Sequence, residues 1–367
     1  MAGYRSLTIV LGDEAPRLVQ FAARELQGYV HRLAGFFPEV ASAEAFMEAP
    51  TRADTPVILV GSPANNPLIQ EALAGASWPE LSDQGFLLRT ATLRGAPAII
   101  VGADSPVATL WAAYDLVEHW GVTFTPRCDI FPHTPIDLAL PEVDKVAEPA
   151  LRVRGWRGLN CEVNGPEFWG LEDYRGLIGQ LAKLRYNVFF VSIYPYGPWV
   201  DYEFHGVRKS TSELFFGMRY PLHDGMIGRE LFGDADEFTN PEFLGLTGYD
   251  ERLEAGKRLI HGIMDEARRV GMKTGLRFVS PIETVNEFRF PFKDWTDVPD
   301  DPARDVDPQA ALFTLGTVLF GTDPGNTKHQ NVEDPLVQEF GAAVMKAHLD
   351  TYPDMDYYII WQSEFRA

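Results

Sequence analysis

Short apolar runs alternate with segments of helical period along the whole chain. Residues 6–11 (SLTIVL) form one such run, closed by Gly12. After Pro16, the residues Leu18, Phe21, Ala22, Leu26, Tyr29 and Leu33 recur at the spacing that paints one stripe on a helix. Residues 56–61 (PVILVG) read as a second strand, and Asn65 or Asn66 can cap a helix beginning at Pro67. Two further apolar runs, 85–91 and 98–101, flank Arg94 and Gly95 and read as a hairpin. A helix carrying Val107, Leu110, Trp111, Tyr114 and Val117 follows, and Gly121 ends it ahead of a strand at 122–125. This order predicts an α/β sandwich over residues 1–135, with helices on one face of a sheet.

Residues 136–151 hold Pro141 and Pro149 among acidic residues without helical period, which predicts a linker. From 152 the pattern resumes. A strand at 153–159 (VRGWRGL) precedes a helix with Tyr174, Leu177, Ile178, Leu181 and Leu184, ended by Asn187. The run 188–193 (VFFVSI) is a strand of the kind buried by helices. An irregular stretch, 194–249, then leads to a helix with Leu253, Leu259, Ile260, Ile263, Met264 and Ala267, and to a strand at 274–279. A second excursion, 280–334, precedes a helix with Leu336, Phe340, Ala343, Val344 and Ala347. The last run, 357–361 (YYIIW), reads as a strand buried on both faces, and polar residues begin at Gln362, Ser363 and Glu364. Four strands alternating with helices, with long insertions after strand ends, predict a TIM-type (β/α)8 barrel over 152–367. A whole barrel takes about 250 residues before insertions, so these four strands are expected to be its first half, continued beyond Ala367.

Composition narrows the function. With 46% hydrophobic and 12% aromatic residues, the 367-residue chain can bury the cores of two domains. A net charge of -20 repels phosphate backbones, so nucleic acid is not the expected partner. No apolar run reaches the roughly 18 residues a membrane span needs, and the N-terminus lacks a basic region followed by an apolar one, which predicts a cytoplasmic location. Cys128 and Cys161 form no disulfide framework and are expected to be small buried side chains. The histidines are scattered without metal-ligand spacing, and no G-x-S-x-G elbow occurs, so neither a metal nor a serine triad is expected. Gly12 precedes a helix as a phosphate loop would, yet GDEAPR lacks the glycine fingerprint and the lysine, and Asp13 and Glu14 stand where phosphate would sit. No cofactor is expected.

The segments AARELQGYVHRLAG, PVILVGSP, LSDQGFLLRT, AIIVGAD and LWAAYDLVEHWGVTFTP, in this order, resemble the N-terminal domain that precedes the barrel in alpha-glucuronidases and bacterial beta-hexosaminidases. In those families this domain carries no catalytic residue. The resemblance implies a glycoside hydrolase acting on O-glycosidic bonds of a poly- or oligosaccharide. The rival class is a carbohydrate-binding protein without catalysis.

If the strands lie as expected, their C-terminal ends gather Arg154, Trp156, Arg157, Asn160 and Glu162 from the first strand, Tyr194 and Tyr196 from the second, Arg277 from the third, and Trp361 and Glu364 from the fourth. Glycoside hydrolysis uses two carboxyl groups about the scissile bond. Many barrel glycosidases carry their general acid after strand four, so the resemblance implies that role for Glu364. Glu162 is one option for the second carboxyl; a plain loop carboxylate is the other. Hexosaminidases place an Asp-Glu pair after strand four, and here Ser363-Glu364 departs from it. Arg154 resembles the strand-one arginine that holds sugar hydroxyls in hexosaminidases. Arg157 or Arg277 can pair a uronic acid carboxylate bidentately, as suits alpha-glucuronidases, or satisfy a buried carboxylate of the protein. Among Trp156, Trp169, Trp199, Trp295 and Trp361, one or two are expected to stack on sugar and the rest to pack.

Overall fold

The computed structural model describes residues 4–49, 55–158, 165–193, 197–205, 207–209, 212, 214, 219–279 and 335–361. Two compact units emerge. The first comprises Met1–Arg154, Leu177–Asn187 and Arg269–Met272, and the second Gly155–Gly176, Val188–Arg268 and Lys273–Ala367.

In the first unit, β1 (Thr8–Leu11) leads into α1 (Arg17–Ala34), whose end is set by Gly35 in the left-handed region with its N–H on the His31 carbonyl. Next come β2 (Glu39–Ser42), α2 (Ala43–Glu48), β3 (Val57–Gly61) and α3 (Pro67–Ala72). Asn66 is the cap of α3: its side chain accepts from the Leu68 N–H while its amide donates to the Val10 and Val60 carbonyls, tying β1 to β3. The hairpin is β4 (Phe86–Leu93) with β5 (Ala96–Gly102), and α4 (Pro106–His119) starts at Ser105, whose hydroxyl accepts from the Ala108 N–H.

The sheet order is β2-β1-β3-β5-β4, completed by β8 (Asp144–Ala147) on β4. Two expectations change here. The stretch read as a linker supplies this sixth strand, because Lys145 and Val146 pair with Leu88 and Leu87 whatever the proline content around them. Helices cover both faces of the sheet, not one. Alternation along each strand sends Ile9, Ile58, Val60, Ile99 and Val101 into a core with α1 and α4, and sends Val10, Val57, Leu59, Ala98 and Ile100 into a second core with Leu68, Ile69 and Ala72 of α3. The strand expected at 122–125 is the short β6 (Thr123–Phe124), which pairs with β7 (Asp129–Ile130) and stays out of the main sheet. Cys128 lies in the turn between them and is exposed, correcting the expectation of burial. Gly12 is also explained: a Cβ there would stand 1.5 Å from the Asn65 carbonyl oxygen, so the glycine serves backbone packing.

The second unit contains β9 (Gly155–Arg157), α5 (Leu171–Lys183), β10 (Val188–Ile193), the small ribbons β11 (Glu203–Phe204) with β12 (Val207–Arg208) and β13 (Tyr220–Pro221) with β14 (Glu237–Phe238), α6 (Tyr249–Arg269), β15 (Lys273–Val279), α7 (Pro335–Thr351) and β16 (Tyr357–Trp361). The last residues of α5, Leu177 onward, count with the first unit. Four strands form one sheet in the order β16-β15-β10-β9, and every neighbouring pair is parallel. The order is sequential and does not reverse, as a barrel wall requires and a doubly wound sheet does not. Phe189 meets Tyr174 of α5 edge-on, and Phe278 and Tyr358 meet His348 of α7, so these helices cover one face. α6 lies beside α5, joined by the Arg175–Glu266 ion pair at 2.8 Å. Ile360 is 48% exposed, so β16 is not buried on both faces as the sequence suggested; among the described residues it has one neighbouring strand.

Candidate functional site

Strand alternation assigns each residue of the second sheet to a face. Residues Trp156, Phe189, Val191, Leu276, Phe278 and Tyr358 share the helix-covered face, in register as Trp156 with Phe189, Val191 with Leu276, and Leu276 with Tyr358. The opposite face carries Gly155, Arg157, Phe190, Ser192, Gly275, Arg277, Tyr357 and Ile359. On it, Arg157 pairs with Phe190, and Ser192, one step further along β10, pairs with Arg277. Two guanidinium-bearing positions thus flank one strand near its C-terminal end. Neighbouring strands are about 4.8 Å apart, so the two arginine-bearing strands are roughly 10 Å apart, within the reach of two long side chains.

Below this level lies an aromatic floor. A Cβ on Gly155 would meet the Phe190 ring at 2.6 Å, and one on Gly275 would meet it at 2.5 Å. Phe190 therefore spreads over two glycines, with Tyr357 next to it at 6.1 Å between ring centroids. Ser192 donates to the Gly158 carbonyl at 3.2 Å, holding the end of β9 against β10. Among the described residues of the four strands no carboxylate occupies this face, although the chain as a whole carries -20.

The site residues expected from sequence divide accordingly. Arg157 and Arg277 fall on one face. Arg154 does not join them: it precedes β9 at the strand's N-terminal end, where its Nε donates to the Arg185 carbonyl at 2.7 Å and its guanidinium lies 4.9 Å over the Trp111 ring. Trp156 is turned to the helix-covered face by the period of two, which removes it as a stacking platform on the arginine face. Trp361 is the last residue of β16 and pairs with Val279. Asn160, Glu162, Tyr194, Tyr196 and Glu364 lie outside the described residues. Of the other tryptophans, Trp199 is buried edge-on against Phe243 and Trp169 meets Tyr174, both as packing; Trp295 lies outside the described residues.

Sequence reading missed a buried polar group behind the sheet. The Lys209 ammonium is buried and donates to the carbonyls of Gly197 at 2.6 Å and Val200 at 2.9 Å. Burial pushes its pKa down to about 7, against the pull of Asp201. Nothing in the local sequence marks it, since a lysine between polar residues reads as solvated. His348 is the second such group: buried, 4.2 Å from the Phe278 ring centre, and 3.1 Å from the Tyr358 hydroxyl through Nδ1. Burial, reinforced by Lys209, lowers its pKa to about 3. A base whose folded pKa lies below its ordinary value binds its proton more readily when unfolded. The stability it contributes is therefore present above about pH 6.5 and lost as pH falls toward 3. Urea unfolding between pH 7.5 and 4 is expected to show this loss, with a slope of at most about 1.4 kcal/mol per pH unit from this one proton. His348→Gln should flatten that slope; an unchanged slope would remove the assignment.

Among the described residues no three His, Cys, Asp or Glu side chains gather as metal ligands, and no helix is long and apolar enough to cross a membrane.

The two units thus define a class: an α/β module followed by sequential parallel βα units, with Arg157 and Arg277 on the strand face opposite α5 and α7. Residues 4–116, within the first unit, match the family model of the glycosyl hydrolase family 67 N-terminus. Among solved structures, the chain is similar to a GH138 enzyme targeting pectin rhamnogalacturonan II, at 10% identity and TM-score 0.46 over 96% of this chain and 38% of that one. It is similar also to a GH115 4-O-methyl-alpha-glucuronidase with specificity for decorated arabinogalactans, at 14% identity and TM-score 0.46 over 97% and 41%. A third is a mutant Streptomyces plicatus beta-hexosaminidase in complex with product, at 13% identity and TM-score 0.45 over 98% and 62%. The chain spans less than two thirds of the length of each. No curated protein matches it.

Proposed function

We propose that this chain belongs to a glycoside hydrolase that cleaves O-glycosidic bonds of a uronic-acid-containing poly- or oligosaccharide, with its parallel strands forming part of a (β/α)8 catalytic barrel and Glu364 acting as general acid. The observation that carries the reading is the placement of Arg157 and Arg277 on one face of the strands, flanking β10. A guanidinium offers two parallel N–H groups that match a carboxylate edge, and such charge-assisted bonds are about twice as strong as neutral ones. The net charge of -20 does not cancel this preference. At physiological salt the Debye length is about 8 Å, so a carboxylate seated between two arginines is governed by them and not by distant surface acids. The glycosyl hydrolase family 67 N-terminus match over residues 4–116 supports the same class.

Calorimetric titration with D-glucuronate and with D-glucose tests the substrate class. Glucuronate is expected to bind more tightly, to weaken with added salt, and to lose at least tenfold in affinity in Arg277→Met, about 1.4 kcal/mol. Equal binding of both sugars would sink the uronate reading.

A further inference from the structure

β9 is only three residues long and makes three register pairs with β10, Gly155 with Val188, Trp156 with Phe189 and Arg157 with Phe190. So short a strand specifies its own register weakly. A slip of one residue would turn Arg157 to the helix-covered face and bring Trp156 to the other; a slip of two would carry Arg157 about 6.6 Å along the sheet.

Something outside the ladder fixes it. Arg154 immediately precedes β9 and Asn187 immediately precedes β10, and the two are bound to each other twice. The Asn187 N–H donates to the Arg154 carbonyl at 3.0 Å, and the Arg154 N–H donates to Asn187 Oδ1 at 2.8 Å. Gln84, from the segment just before β4, closes the group. Its Oε1 accepts from Arg154 Nη1 at 2.7 Å and from Asn187 Nδ2 at 3.1 Å, and its Nε2 donates to the Arg152 carbonyl at 3.0 Å. Asn187 Nδ2 also donates to the Arg152 carbonyl at 2.8 Å. The residues entering both strands, Arg154 and Asn187, are thus held by one amide, that of Gln84.

We infer that Gln84 is a positioning residue: through Arg154 and Asn187 it locks the register of β9 on β10, and with it the place of Arg157 opposite Phe190. Among the described residues, Gln84 itself touches no residue of the arginine face and acts only through the residues that enter the two strands. The lock itself follows from these hydrogen bonds; its consequence for ligand binding rests on the uronate reading above.

Hydrogen–deuterium exchange on the full chain separates the two. Gln84→Met keeps size and removes every polar contact, whereas Gln84→Glu keeps an acceptor for Arg154 and Asn187. The expected result is at least tenfold faster exchange over 155–158 in Gln84→Met, with β5 unchanged, and near-wild-type exchange in Gln84→Glu. Exchange over 155–158 that does not change in Gln84→Met, or that is as fast in Gln84→Glu, overturns the inference. A role confined to the stability of the first unit would instead speed exchange across β4 and β5. In the binding arm, D-glucuronate affinity should fall about tenfold in Gln84→Met and recover in Gln84→Glu. If the wild-type protein does not bind glucuronate, the proposed function fails and the exchange result alone decides the role of Gln84.

Discussion

Glu364→Gln in the full-length enzyme is expected to lower kcat/KM for glycosides with poor leaving groups by roughly 10²–10⁴-fold, about 3–5 kcal/mol of barrier. In sequence Glu364 stands three residues after Trp361, the last residue of a strand that runs parallel to its neighbour. A general acid matters in proportion to how badly the departing oxygen needs a proton. Aryl glycosides with acidic phenols need none, and their bond-breaking step should proceed near the wild-type rate in the same variant. That split distinguishes the acid from the other carboxyl: loss for both substrate types would mark Glu364 as nucleophile or base, and loss for neither would remove it from the chemistry.

Gly256→Ala carries the largest structural effect expected here. Gly256 sits inside α6, where helix propensity alone favours alanine by about 1 kcal/mol. Steric contact decides the other way. A Cβ at this position would stand 1.8 Å from the Pro198 carbonyl oxygen, a backbone atom that no rotamer change can move aside. Forcing the helix off the stretch that follows β10 should cost roughly 3 kcal/mol, the upper end for overpacking, and the substitution should lower the denaturation midpoint without changing the urea m-value. A midpoint raised by the variant would mean that the helix and Pro198 do not approach as described.

What was legible in the chain, and what was not, follows from how each contact is made. Strands such as residues 57–61 and 188–193 announce themselves because burial on both faces demands unbroken apolar runs. β2 and β8 did not, since their residues are half polar and partly exposed at or near the sheet edges, and pairing there depends on a partner far away in sequence. The second helix layer was missed for a related reason: α3 has only two turns, too short for a convincing period, though Leu68 and Ile69 seal a whole core. Which arginine faces the site turned on parity. Residues 154, 156 and 157 all lie in or beside one strand, and only the observed pairing of Arg157 with Phe190 shows which way each points. Arg154 carried the signal of a strand arginine and serves instead at the strand's entrance, a distinction that depends on Gln84 and Asn187, remote in sequence. Lys209 and His348 were invisible because their burial is produced by elements that converge only in three dimensions.

The ring of Phe190, bridging Gly155 and Gly275, makes three positions on three strands answer to a single filler. Change at one of them alters what the other two tolerate, so paired substitutions here should be strongly epistatic while those elsewhere in the wall simply add. Drift across this part of the lineage would have to be concerted, with larger side chains entering at the glycine positions only after the aromatic has been trimmed.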